Sequence, residues 1–582
     1  MKNKLIITLL LFSNLIYSQK NQTNICEPMF NSDLFNLEGD SLEDSDPNLM
    51  FLTDKDYLMS FDLSEFKDGK RSVRIKGLNK SATTFANLSL IIPLKIQKES
   101  ELELSVWVKT DSLVGDNSGA ILRLMGYKDT RSSGNALVFE FSKNILKGSE
   151  DWTKISLTTS IEDDVNIIVL SGLMQGQGCA WFDDFSLIID GEKVQDIVFF
   201  KDQEETEEIK KALQPFVSPI TNKQGKQISN YVDSIKPEAH IIGIGEATHG
   251  TKEIYNYKIE TIKSLIKNNG VNTIALENYY SNSFNLNTYI QNKTGDLKEV
   301  IKDLRFWCYF TPEFEEFIIW LKDYNKNSVD KISIVGIDAQ PGGNALKLLI
   351  ENLKENDDFT TLLNELNSDS LAITDKVNVS KQLLEELENS NQSENILMTA
   401  KELSQSYYLE QHEGSLKYSR TRDSLMAVNI AYLDKKIMPN KKMVYWAHDS
   451  HVQKMTGWTG GFLEDIFNDK YINLGFLLGN GTFTAVDNRS RTLDSDNYLT
   501  PSQCNSLEAL MDAYNFPVVL FNSNFASKDP FLKTNLFNKY IVKRDVGALE
   551  TIDQFTFMGD NPADLFDLLI YIKDSTPTKI LK

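Results

Sequence analysis

The stretch HIIGIGEATHGTKEIYNYK, His240 to Lys258, decides the fold. His240 to Gly245 is a short apolar run of the kind that makes a buried strand, and Lys252 to Lys267 has the three-and-four spacing of an amphipathic helix. Between them stand Glu246, Ala247, Thr248, His249 and Gly250. Open parallel sheets bind ligands outside the carboxyl ends of their strands, so the residues just after each strand are the informative ones.

Working outward, the same arrangement recurs. The predicted strand Asn272 to Leu276 runs into Glu277, Ile332 to Ile337 into Asp338, and Met443 to Ala447 into His448-Asp449-Ser450-His451. If these strands are parallel neighbours, imidazoles and carboxylates converge on one rim, with three of the chain's five histidines among them. A single acid at a strand end is ordinarily a helix cap or a solvated residue. His-plus-acid sets at two ends and acids at two more point instead to a shared site. His240 opens its strand at the opposite edge and His412 lies in a helical stretch, so both read as structural.

Short apolar runs alternating with amphipathic ones give an α/β fold with a mainly parallel sheet flanked by helices. Pro312 to Tyr324 and Ala345 to Leu353 are further helices, and residues 345–436 read almost wholly as helix, a helical insertion between two strands. From about residue 30 to 190 the period is two: LELSVWVKT (Leu102 to Thr110), ALVFEF (Ala136 to Phe141), TKISLTTSI (Thr153 to Ile161), NIIVLSGL (Asn166 to Leu173), and a last strand in CAWFDDFSLIID (Cys179 to Asp190). That spacing predicts an all-β sandwich. It resembles the jelly-roll modules appended to secreted carbohydrate-active enzymes, which implies a glycan as partner of this front domain. Trp107, Trp152 and Trp181 are candidates to stack on sugar rings, against the plainer reading that they are core. The expected division is a signal peptide at 1–18, a jelly-roll-like sandwich at 19–195 and an α/β domain at 205–582, with the charged stretch Lys201 to Lys211 at the junction.

The chain has 582 residues, long enough for two or more domains, and 41% hydrophobic with 25% charged residues is an ordinary globular composition. A net charge of −21 argues against nucleic acid as a partner. Lys2 and Lys4 before the apolar run Leu5 to Phe12, with small Ser18 before Gln19, predict an export signal cleaved near Ser18 and a periplasmic or secreted protein; no later run is long enough for a membrane span. Of the four cysteines, Cys26 and Cys179 are the candidate disulfide.

The blocks GIGEATHGTKEIYNYK (Gly243 to Lys258), TIALEN (Thr273 to Asn278), ISIVGIDAQ (Ile332 to Gln340), RDSLMAVNI (Arg422 to Ile430), VYWAHDSHVQK (Val444 to Lys454), NLGFLLGNGTF (Asn473 to Phe483) and NSLEALMDAY (Asn505 to Tyr514) resemble, in order, those of the erythromycin esterase family. The resemblance runs from about residue 205 to the end. It implies an esterase-like α/β fold, a site built on His249, Glu246, Glu277 and His448, hydrolysis of a macrolide lactone as in members conferring antibiotic resistance, and no metal or other cofactor.

The chemistry of ester hydrolysis narrows the roles. It needs a nucleophile, a base and a group for the developing oxyanion. No G-x-S-x-G elbow occurs, and Cys308 has no evident His partner, so water becomes the nucleophile. His249 is then the expected base, Glu246 and Glu277 orient it, and His448 donates to the oxyanion or leaving alcohol. Lys258, Asp338, Arg422, His451 and Trp307 are the expected substrate-binding residues. Two alternatives stay open: a metal-dependent hydrolase of an acylated extracellular glycan using His249 and His448-x-x-His451, and a non-catalytic ligand- or glycan-binding protein.

Overall fold

In the computed structural model the described residues are 49–581, apart from 53–55, 70, 94–97, 128–135, 163–164, 166, 195–202, 222–223, 292–293, 354–356, 414–415, 440, 488–491, 500–501, 503–505, 540, 549–556 and 560–561. The signal-like residues 1–18, Cys26 and hence the candidate Cys26–Cys179 bridge lie outside them. So does Cys504.

Strands β1 (Leu49–Leu52), β2 (Tyr57–Asp62), β3 (Ser72–Gly77), β4 (Ala86–Pro93), β5 (Ser100–Tyr127), β6 (Val138–Phe141), β7 (Gly148–Ile161), β8 (Ile167–Ile189) and β9 (Glu192–Lys193) form one antiparallel sheet. The sequence suggests two strands within 166–190, whereas β8 is continuous. Its first part pairs with β4 and its middle with β3, while β5 accompanies it throughout. At about 3.3 Å per residue, Gly172 and Phe182 would stand about 33 Å apart on a straight strand. Yet a Cβ on Gly172 would lie 2.7 Å from the Phe182 ring. The strand therefore folds back on itself, at Gly176 and Gly178, whose φ values of 105° and 133° suit glycine. The bend closes one sheet into a jelly-roll-like sandwich around Val73, Leu104, Leu124, Leu170 and Phe182. Trp181 is buried with its indole N–H donating to Asp62 (2.8 Å), and Lys67 covers Trp107 at 4.0 Å, so the plainer reading of Trp181 is the right one.

The second large sheet runs β10 (Val217–Pro219), β17 (Val518–Phe521), β20 (Leu568–Ser575), β15 (Tyr471–Val486), β11 (Ile241–Ile244), β14 (Lys442–Trp446), β12 (Val271–Tyr279), β13 (Ser333–Asp338), with β16 (Leu493–Leu499) beside β15. The six strands from β20 to β13 are parallel, while β10, β16 and β17 pair antiparallel. A small antiparallel pair, β18 (Val542–Arg544) with β19 (Phe557–Gly559), stands apart from it. Ile241–Ile244 is buried at every position, which is why it reads as an unbroken apolar run rather than an alternation. Helix α1 (Lys252–Asn269) comes after β11, and α2 (Tyr280–Ile290) after β12.

Between β13 and β14 come α3 (Ala345–Leu353), α4 (Asp357–Leu366), α5 (Ile373–Glu388), α6 (Glu394–Glu410) and α7 (Leu416–Tyr432), the expected helical insertion. It has its own apolar cluster, including Leu349, Phe359, Leu383 and Leu403. Polar ties bind it to the sheet: Asn429 donates to Ile337 O (2.9 Å), and Glu402 accepts from the Ser281 hydroxyl and N–H (2.7 Å each). Among the described residues, no helix is long and apolar enough to cross a membrane.

The close approach at the β8 bend has a measurable consequence. Gly172→Ala must displace the Phe182 ring and is expected to cost ~1–3 kcal/mol in urea unfolding. Gly295→Ala, where the new methyl meets only ordinary contacts at 3.6 Å or more, serves as a control within ~0.5 kcal/mol.

Candidate active site

Parallel pairing of β11 with β14, of β14 with β12 and of β12 with β13 brings four strand ends level. The two His-containing segments and both single acids of the sequence pattern therefore meet. Gly250, just after His249, permits the tight turn: a Cβ there would lie 1.8 Å from the Thr484 carbonyl oxygen. His448 caps the short helix α8 (Asp449–Val452), its Nδ1 accepting from the Ser450 N–H at 3.2 Å.

Glu246 is the first hub. One carboxylate oxygen lies 2.6 Å from His249 Nδ1; the other accepts from Lys258 Nζ (2.8 Å) and the Trp446 indole N–H (3.2 Å). Lys258 also donates to Ala447 O at 3.1 Å and sits 4.6 Å over the Trp446 ring. Its side chain is 0% exposed, so Lys258 cannot be the substrate contact expected from sequence. It lies on the sheet-facing side of α1, beneath the site, and serves Glu246 instead. His249 is 15% exposed, and among the described residues no partner takes its Nε2.

Arg422, on α7, is the second hub. Its Nε and Nη2 bind Asp338 at 2.9 and 2.6 Å, and Nη2 also reaches Glu277 at 2.7 Å. His451 Nε2 stands 3.3 Å from the same Glu277 oxygen, while its Nδ1 lies 2.8 Å from Asp423. Arg422 Nη1 is 3.2 Å from His451 Nε2; with both groups protonated, the two donors share Glu277 rather than bond each other. The other Glu277 oxygen accepts the His448 backbone N–H at 3.0 Å, tying the hubs together. The His249 and His448 ring centres are 5.1 Å apart. Asp338, expected to touch substrate, is fully buried as the clamp on Arg422. Trp307 is partly buried against the apolar core, with no polar tie to this set among the described residues.

His448 departs most from expectation. Besides Nδ1, its Nε2 is engaged, 3.4 Å from Ala247 O and 3.2 Å from Asp545. Neither nitrogen is free to face an oxyanion. Asp423, Trp446, Lys543 and Asp545 are members of the constellation that the sequence pattern does not reveal. His240 pairs with Asp434 at 2.5 Å, away from the site, and His412 stacks edge-on against Tyr408, as their structural reading requires. Burial raises the Cys308 thiol well above its usual range, which removes it as a nucleophile at neutral pH. Among the described residues no group of three or more His, Cys, Asp or Glu is arranged to hold a metal ion; each of the three site imidazoles turns a nitrogen toward a carboxylate.

The electrostatics stem from these contacts. Burial pushes the Glu246 carboxyl up, but the Lys258 ammonium and His249 outweigh it and hold it down at about 2. Burial works likewise on Glu277, and His451 with Arg422 drive it well below the carboxylate range. His451 would be lowered by burial, yet Asp423 and Glu277 lift it to about 10. His448 is pushed to about 3 by burial and by the neighbouring His249, so it is neutral. Because folding raises His451 from 6.5, its contribution to stability is complete below pH 6.5 and disappears as pH rises through about 10. The stability difference between the wild type and His451→Gln is therefore expected to shrink as pH rises from about 6.5 to about 10 in denaturant titrations. Lys258→Met strands a buried Glu246 charge and is expected to cost ~3–5 kcal/mol, as read by the unfolding midpoint.

Comparison with known proteins concerns the second domain. The sequence model described as "Erythromycin esterase" matches residues 266–575, more than half of the chain. Erythromycin esterase type II of Escherichia coli is 24% identical over 320 residues, covering 44% of this chain and 74% of that protein. A solved Bacillus cereus protein superposes with a TM-score of 0.56 at 20% identity, covering 65% of this chain and 99% of its own. A solved succinoglycan biosynthesis protein does so with a TM-score of 0.56 at 18% identity, covering 66% of this chain and 100% of its own. A match to that model over more than half of the chain leads to one conclusion: the chain belongs to the erythromycin esterase family.

Proposed function

We propose that the chain hydrolyses an ester or lactone with water activated by His249. The observation that carries this reading is the asymmetry of that imidazole: Nδ1 is bound at 2.6 Å to a buried, ionised Glu246, while Nε2 has no partner among the described residues. A ring held this way has its proton on Nδ1 and a lone pair on Nε2 for water. A water proton passes to Nε2 as its oxygen attacks the carbonyl carbon. Collapse of the tetrahedral intermediate breaks the acyl C–O bond, and the departing alkoxide takes that proton. The sum is one water gained, as acid and alcohol.

The oxyanion is assigned to Arg422, cationic and partly exposed at the rim, whose Nη1 is the guanidinium nitrogen not taken by Asp338 or Glu277; the buried His451 imidazolium, with both nitrogens on carboxylates, adds positive charge behind it. Glu246 stabilises the imidazolium formed on His249, and Glu277 fixes the two cations and the His448 backbone. His448 is thereby moved from oxyanion donor to neighbour of the base. Such a base contributes roughly two to four orders of magnitude.

The reading extends to the whole chain as an exported protein of two domains, a sandwich at 19–195 and an esterase-like domain at 205–582. Substrates are a macrolide lactone or an acylated glycan. Support for a glycan partner is a groove of about 380 Å³ on the front sheet, where half-exposed Phe85 and Phe141 stand beside Asn117, Lys147 and Gln175. Rings with nearby amides suit sugar faces and hydroxyls.

The test is incubation with a macrolide and with acylated oligosaccharides, then mass spectrometry for gain of one water. His249→Ala is expected to lower turnover at least ~100-fold with the melting midpoint nearly unchanged; retained turnover would remove the base assignment. Chelation before assay is expected to leave the rate unaltered, whereas loss restored by zinc would favour the metal-dependent alternative. Binding without product across the panel would favour the non-catalytic one.

A further inference from the structure

Asp545 is a buried acid to which the hydrolytic reading gives no task. It comes directly after β18, and residues 545–547 lie along the turn that carries His249. The Val546 N–H donates to Ala247 O at 2.8 Å and the His249 N–H to Gly547 O at 3.2 Å. The Asp545 side chain is 2% exposed, with Oδ1 3.2 Å from His448 Nε2. The N–H on that nitrogen is directed at Ala247 O instead, and Oδ1 accepts no hydrogen bond from any described residue.

The local charges do not balance around it. Lys543 Nζ is 3.1 Å from Asp449 and 4.0 Å from Asp545, one ammonium between two acids. With Asp449 neutralised by the nearer contact, Asp545 has His448 as its close titratable neighbour. A buried carboxylate oxygen without a donor is unfavourable unless it takes or shares a proton. The Ala247 carbonyl can only accept and the Ser450 N–H donates to Nδ1, so the His448 proton is assigned to Nε2, the nitrogen beside Asp545, and the Ser450 hydroxyl, 2.8 Å from Nδ1, then donates to that nitrogen as well. The other titratable groups around the pair are His249, His451 and Glu277.

We infer that Asp545 is a positioning residue acting through His448: it keeps the ring proton on Nε2 and steers the imidazole toward His249. A slight turn of the ring moves its N–H from the Ala247 carbonyl to Oδ1, so the acid offers His448 a second hydrogen-bonded position beside the base. The effect on rate rests on the hydrolytic reading; the place of the proton does not.

The experiment uses the full chain with ¹⁵N-labelled histidine, of which there are only five to assign. Wild type is expected to show His448 in a single form protonated on Nε2. Asp545→Asn and Asp545→Ala are expected to give a mixture of forms at His448 and, with an ester the wild type turns over, kcat lowered ~10–100-fold with KM within about twofold. Unchanged His448 signals together with unchanged kcat in both variants would overturn the inference. So would a wild-type His448 proton on Nδ1, a result available even if neither variant folds. If the wild type hydrolyses nothing, the hydrolytic reading fails separately and the spectra alone decide the role of Asp545.

Discussion

Glu246 cannot be ionised at 3% exposure unless a cation and hydrogen-bond donors meet it, and the structure around the first strand end is organised to supply them. Lys258 approaches from beneath and His249 from the rim, with the Trp446 indole N–H completing the set. That clamp fixes which nitrogen of His249 is occupied and leaves the other for chemistry. It also explains local sequence. Gly250 lets the turn lie against β15, and Lys258 must sit where α1 faces the sheet.

The second hub extends the same logic across the insertion. Arg422 and Asp423 come from α7, while Glu277, Asp338 and His451 come from the sheet rim, so the cationic side of the site forms only when the insertion is docked. The polar ties of Asn429 and Glu402 hold that docking. The front sandwich also meets the site's supporting layer: Val542, one residue before Lys543, is buried in the sandwich's apolar cluster. Packing at the front sheet is thus one step from Lys543 and three from Asp545.

Strand ends are the legible part of the sequence because buried parallel strands are continuous apolar runs and whatever terminates them stands out. Glu246, His249, Glu277, Asp338, His448 and His451 are visible that way, and the helical insertion by its spacing. Roles are less legible. Lys258 and Asp338 look like any polar residue near a motif, and only three-dimensional burial shows that they face inward to partners. The role of His448 is misjudged from sequence because its cap to Ser450 and its neighbours Ala247 and Asp545 are set by backbone geometry. Asp423, Lys543 and Asp545 carry no local signal, since each gains meaning from a contact 28 to 97 residues away. The single bent strand β8 reads as two because a glycine-rich segment resembles a turn, whereas here β5 pairs with it on both sides of the bend.

Which nitrogen of His249 carries a proton decides whether this site can work as a base. Nitrogen-15 spectra of that ring in the intact protein at neutral pH measure it directly. The clamp predicts a protonated Nδ1 paired with a bare Nε2, and loss of that pattern in Glu246→Gln. A His249 ring protonated on Nε2, or one indifferent to the Glu246 substitution, would contradict it.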